Sequence, residues 1–105
     1  MNRVEVGMLV SFRDKRLELV ECDNAHETGL PLAVIKSARR KLQKVRAAKD
    51  ERDIRAIKSL RLEKLSGDRE GQHSIRLNEK WRIVFVWGES SGEKVFEILE
   101  VVDYH

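Results

Sequence analysis

The chain has 105 residues, of which 41% are hydrophobic and 37% charged, with a formal net charge of +3. That length accommodates one hydrophobic core, and with both charge signs abundant beside regularly recurring apolar residues it excludes a disordered chain; we expect one domain over residues 1–105. The single cysteine, Cys22, excludes an internal disulfide, and no Cys/His cluster has zinc-ligand spacing, so we expect no metal site, no cofactor and a reducing, cytoplasmic location.

The first twelve residues contain Arg3 and Glu5 and lack the apolar run of a signal peptide or membrane span, so no membrane association is expected. Met8 to Phe12 is short and apolar and reads as a first strand. Asp14 to Val20 follows with helical spacing at Leu17 and Val20, and Cys22 to Gly29 is polar and turn-like. Pro31 stands where proline is tolerated, in the first turn of a helix. From Leu32 to Lys49 the positions Val34, Ile35, Ala38, Leu42 and Val45 recur every three or four residues, which predicts a helix with Arg39, Arg40, Lys44 and Arg46 on other sides. Asp50 is placed to cap a second, shorter helix carrying Ile54 and Ile57 and ending near Leu60.

Beyond that point the period becomes two. Leu60, Leu62, Ile75 and Leu77, then Trp81, Ile83, Phe85 and Trp87, then Phe96, Ile98 and Val102 mark strands joined by short turns, which implies an antiparallel meander. The fold class expected is therefore α+β, with the N-terminal helices packed on one face of an antiparallel sheet.

Charge is distributed unevenly. Lys36 to Lys64 holds twelve Lys/Arg against four Asp/Glu, a local balance of +8, so one end of the molecule should attract polyanions, although a solvated helix face would look similar. The hairpin beyond it sharpens the expectation. If Asn78 to Lys80 forms a three-residue loop, Ile75 faces Ile83 and Arg76 faces Arg82, whereas a two-residue loop would mix apolar and charged faces. Two guanidiniums directly opposite repel by a few tenths to about 1 kcal/mol unless an anion lies between them. A phosphate suits that place, and a carboxylate such as Glu97 or Asp103 would also fill it. His26 falls in a turn and His73 on the Ile75 face, where packing is its expected role; Trp81 and Trp87 belong to the apolar pattern.

The run Arg61-Leu62-Glu63-Lys64-Leu65-Ser66-Gly67-Asp68-Arg69-Glu70-Gly71-Gln72-His73-Ser74-Ile75-Arg76-Leu77-Asn78, followed by Trp81-Arg82-Ile83 and Val101-Val102-Asp103-Tyr104-His105, resembles the HigB-like toxins of the RelE/ParE superfamily. The resemblance implies a RelE-like β-α-α-β-β-β order and a type II toxin that cleaves messenger RNA on the ribosome without metal. It also implies a HigA-like helix-turn-helix antitoxin as partner, with operator DNA reached only through that complex. Carried over by residue, Arg82 would contact the scissile phosphate, and Tyr104 and His105 would stand in the active site. The pattern departs at Glu63, where some members have histidine, at Ser66, where some have lysine, and at Lys80, where some have asparagine.

Metal-free RNA cleavage needs a base for the 2′-hydroxyl, cations for the charge that builds on phosphorus, and an acid for the leaving oxygen. Arg82 and Arg76 supply cations, Glu63 offers a base, and His105, beside its own terminal carboxylate, suits an acid. Arg61, Lys64, Arg69 and Lys80, and Arg39, Arg40 and Lys44 on the basic helix, are candidates for holding RNA phosphates. The alternative within the same fold is a ParE-like toxin that inhibits DNA gyrase by binding, without catalysis.

Overall fold

The computed structural model describes residues 7–103. Strand β1 (Leu9–Phe12) leads through 3₁₀ turns at Lys15–Glu21 and Ala25–Thr28 into helix α1 (Leu32–Ala47) and helix α2 (Glu51–Ala56). A further 3₁₀ turn at Lys58–Leu60 leads to β2 (Glu63–Lys64), then β3 (His73–Arg76), β4 (Trp81–Ser90) and β5 (Glu93–Asp103). Among the described residues no helix is long and apolar enough to cross a membrane.

Local chemistry accounts for the helix ends. Pro31 precedes α1, and its carbonyl accepts from the Val34 and Ile35 N–H groups, while Lys44 and Arg46 in the last turn complement the helix dipole. Asp50 Oδ1 accepts from Asp53 N at 3.1 Å, and Asp53 Oδ2 accepts from Lys49 N at 2.9 Å, a reciprocal cap that fixes the start of α2. Gly7 lies so close to the end of α1 that a Cβ there would overlap the Arg46 carbonyl, and the next residue, Met8, donates its N–H to Ala48 O at 2.8 Å.

The sheet order is β1-β5-β4-β3-β2. The meander from β2 to β5 is antiparallel as expected, but β1 pairs with β5 in parallel, Leu9 beside Val95 and Phe12 beside Ile98, so the sheet is mixed. The helices between β1 and the meander free the first strand from any hairpin constraint, and it joins the far edge in the same direction as β5. On one face, α1 buries Val34, Ala38, Leu42 and Val45 against Ile75, Leu77, Ile83, Phe85, Phe96 and Ile98. Each of the larger side chains, fully buried, contributes about 1.5–3 kcal/mol. Phe85 and Phe96 stack with centroids 3.8 Å apart, and His73 lies over Phe85 at 5.5 Å, which makes it the packed histidine its position suggests.

The alternation at Leu60 and Leu62 does not form a strand. The three-residue spacing of Ile54, Ile57 and Leu60 carries on through the 3₁₀ turn, Leu60 is fully buried at its end, and Arg61 then takes φ 46° in the left-handed region. Only Glu63 and Lys64 pair in the sheet before the chain leaves it again. Between α1 and the sheet, Ser37 Oγ donates to Leu77 O at 2.6 Å in a buried contact, and the Lys41 ammonium donates to Arg76 O, so the helix is bound to the end of β3 that enters the hairpin.

Candidate functional site

The three-residue loop Asn78 to Lys80 sets the β3–β4 register: Ile75 pairs with Ile83 and Arg76 with Arg82. Asn78 Oδ1 holds the loop by accepting from Lys80 N at 2.9 Å and Trp81 N at 2.8 Å, an asparagine turn of the kind such loops favour. Period two therefore puts Ser74, Arg76 and Arg82 on the sheet face away from α1, and Glu63, register partner of Ser74, on the same face.

Arg82 is the fixed point of this face. Its Nε donates to Ser74 Oγ at 2.7 Å and its Nη2 to Arg61 O at 2.6 Å, while Nη2 lies 3.8 Å from Glu63 Oε1; the side chain is only 13% exposed. Arg61 supplies its carbonyl because of its left-handed backbone. Around the guanidinium opens a cleft of about 500 Å³ lined by Glu63, Leu65, Ser66, Arg69, Glu79, Lys80 and Arg82. Arg69 is oriented across it by Glu100 Oε1 and Gln72 Oε1, both at 3.1 Å. Two arginines and a lysine thus meet two carboxylates and a hydroxyl in a concave space open to solvent, a set able to hold a phosphate and accept a proton beside it.

The structure divides the residues expected from the sequence. Arg82, Glu63, Arg69 and Lys80 line the cleft together. Arg76 shares the face of Arg82, but its Nε donates to Asn78 O at 3.1 Å, while Arg82 is held by Ser74, Arg61 O and the nearby Glu63 carboxylate, so each guanidinium has acceptors of its own. Glu97 pairs with Arg13 at 3.0 Å at the β1 side of the sheet and reaches neither arginine. Lys64 pairs in register with His73, on the opposite face from Glu63. Arg61 contributes its backbone to Arg82 and its side chain to a neighbouring cleft with Arg55, Ile57, Lys58 and Leu62. On α1, Arg39 donates to the Val20 and Cys22 carbonyls and anchors the 3₁₀ turn at Lys15–Glu21, a structural use; Lys44 donates to Ser59 Oγ at 3.1 Å, and Arg40 is exposed. Tyr104 and His105 lie outside the described residues. The strand before them runs to Asp103, register partner of Trp81, with Val102 beside Arg82.

The electrostatics of this edge are strongly positive. Burial holds the Lys41 ammonium below its usual pKa, and Arg40, Lys44, Arg76 and Arg82 each push it further the same way. Four cations acting on a fifth raise the local potential, and an anion placed among them lowers it.

Ser74, Leu65 and Glu79 were not among the residues singled out from the sequence. Ser74 could have been found by parity, since it stands two residues before Arg76 and therefore on the same face; Glu79, in a turn between Asn78 and Lys80, carries no such signal.

Residues 10–105 match the family model of the RelE-like toxin of the type II toxin-antitoxin system HigB. The chain is 35% identical over 80 residues to Toxin HigB-1 of Vibrio cholerae serotype O1, covering 76% of this chain and 84% of that protein. Among solved structures it resembles a YoeB/ParE toxin from Agrobacterium tumefaciens, at 14% identity and TM-score 0.52, over 93% of this chain and 100% of that one. It also resembles a chain of a heterotetrameric YoeB-YefM toxin-antitoxin complex from Staphylococcus aureus, at 18% identity and TM-score 0.56, over 93% of this chain and 97% of that one. These likenesses are of fold.

Proposed function

The chain belongs to the HigB-like toxins, RelE-like toxins of type II toxin-antitoxin systems, and we propose that it arrests translation as a metal-independent endoribonuclease cutting messenger RNA on the ribosome. The observation that carries this reading is Arg82, a largely buried guanidinium fixed by Ser74 Oγ and Arg61 O with Glu63 beside it in an open cleft. A cation held by its own scaffold needs little reorganisation as negative charge grows on a phosphate, which is where electrostatic stabilisation of a transition state is largest.

In this reading the scissile phosphate rests against Arg82, with Arg69 and Lys80 on its flanks and Arg76 contributing charge from the same face. Glu63 takes the 2′-hydroxyl proton. The oxygen attacks phosphorus, the bond to the 5′-oxygen breaks, and the leaving oxygen receives a proton from His105, with Tyr104 beside it. Products are a 2′,3′-cyclic phosphate and a 5′-hydroxyl, so no external reactant enters. Residues 1–105 act as one toxin domain, held inactive by a HigA-like helix-turn-helix antitoxin. Any contact with operator DNA is made through that complex, and the site of action is the cytoplasm.

The test is Arg82→Ala. We expect a folded protein that neither stops growth nor cleaves ribosome-bound transcripts, with pulse labelling of cells showing that the native chain depresses protein synthesis first. Undiminished cleavage by folded Arg82→Ala rejects the assignment. An early fall in DNA synthesis instead identifies a gyrase inhibitor.

A further inference from the structure

Cations occupy every third position from Arg55 through Lys58 and Arg61 to Lys64. The segment's conformation gives that spacing a geometric meaning. Arg55 lies in the last turn of α2, Lys58 opens the 3₁₀ turn after the extended Ile57, and Arg61 follows that turn; all three are exposed. The apolar residues follow the same interval: Ile54 and Leu60 are fully buried and Ile57 half-buried, which turns the cations outward.

The outward side is concave. Arg55, Ile57, Lys58, Arg61 and Leu62 line a cleft of about 420 Å³ with no carboxylate in its lining among the described residues. Arg55 forms a surface pair with Glu51 at 3.2 Å, whereas neither Lys58 nor the Arg61 guanidinium has an ion-pair partner among those residues. Lys58 and Arg61, meeting the paired Arg55 at one hollow without counter-charges of their own, repel one another and lower their energy by taking an anion.

Arg61 joins this hollow to the cleft described above. Its carbonyl accepts from Arg82 and its side chain lines the second cleft, so a strand whose phosphate lies at Arg82 continues onto Arg55, Lys58 and Arg61. We propose that this second cleft holds phosphates of the RNA strand flanking the scissile one, a phosphate track that sets how much of the strand the protein grips. The proposal rests on the nuclease reading for the identity of the strand at Arg82. Contiguity with Arg82 favours RNA over an acidic protein segment, which would have no reason to begin there.

The experiment compares native chain with Arg55→Gln/Lys58→Gln, and with Lys58→Gln alone as a variant that leaves the Arg55–Glu51 pair in place. Binding of labelled oligouridylates of about 3 and about 12 nucleotides is measured across a salt series, lengths that separate one phosphate station from a strand spanning both. We expect the longer probe to lose affinity in both variants, with the slope of log affinity against log salt falling by about 0.7 per cation removed, and the shorter probe to be unaffected. An unchanged slope for the longer probe overturns the proposal, as does loss of affinity for the co-expressed antitoxin with RNA binding intact, which would make the cleft a protein-docking surface. Because binding is read without cleavage, failure of the nuclease reading leaves this comparison decisive, and failure of the track leaves cleavage by the native chain untouched.

Discussion

Ser74 Oγ accepts from Arg82 Nε at 2.7 Å, and Ser74 is completely buried, so the hydroxyl serves the arginine and not solvent. A hydrogen bond to a charged group is worth about 1.5–3 kcal/mol, and here it also sets the direction of the guanidinium plane.

Ser74→Ala should therefore reduce cleavage at saturating substrate by roughly 10- to 100-fold, the scale of a misplacement near 1 Å, and lower the melting temperature by roughly 6–20 °C. Single-turnover rates and thermal melts measure the two effects. Cleavage equal to the native rate would show that the serine has no share in aiming Arg82.

Arg61 presents its carbonyl to Arg82 from φ 46°, a conformation costing about 1–2 kcal/mol for a residue with a Cβ. Arg61→Gly should keep stability within about 1 kcal/mol of native, relief of strain offsetting the added freedom of the unfolded chain. Arg61→Val, branched at Cβ, should destabilise by about 1–3 kcal/mol and weaken cleavage as the carbonyl moves. Denaturant titrations of both variants test this; equal stabilities would contradict it.

Removing Tyr104 and His105 leaves β5 complete to Asp103. We expect cleavage to drop by about 100- to 10,000-fold, the usual contribution of a proton-transfer group, with a shift in unfolding free energy of at most about 1 kcal/mol. A truncated chain as active as the native one would take the terminal pair out of the mechanism.

Burial holds the His73 imidazole below its ordinary pKa of 6.5, only partly offset by Glu51. On acidification the unfolded chain binds the proton first, so the unfolded state carries more protons than the folded one and stability declines as pH drops below 6.5, levelling off once the folded imidazole is protonated too. His73→Phe, which keeps a ring against Phe85, should remove that component. The melting temperature of the native protein relative to that of His73→Phe, followed from pH 7 downward, should fall; a constant difference would refute it.

The face that carries the site was legible in the sequence because parity and a three-residue loop decide it: Ile75 with Ile83 and Arg76 with Arg82 follow from refusing to mix apolar and charged residues. The helices were legible for the same reason, since Val34, Ala38, Leu42 and Val45 repeat at helical spacing. Leu60 and Leu62 misled because two alternating leucines are too few to separate period two from the period of three that Ile54, Ile57 and Leu60 obey. The parallel placement of β1 depends on which sheet edge is vacant after the meander forms, a global property that four residues cannot encode. Where each arginine's fork comes to rest was equally illegible. Arg39 and Arg82 look alike in a string of letters, yet one is spent on backbone carbonyls of a 3₁₀ turn and the other is aimed into the cleft.

Strand β5 is the latest of the described strands to be synthesised, yet it lies inside the sheet, between β1 and β4. Until it emerges, β1 has no neighbour and the whole length of β4 exposes unpaired backbone groups. Completion of the sheet is consequently gated by its most sequence-distant contacts, which are the slowest class to form. A nascent chain passes through a stage that offers an open β-edge before its sheet is closed, and a cell making it has that interval in which to intercept it.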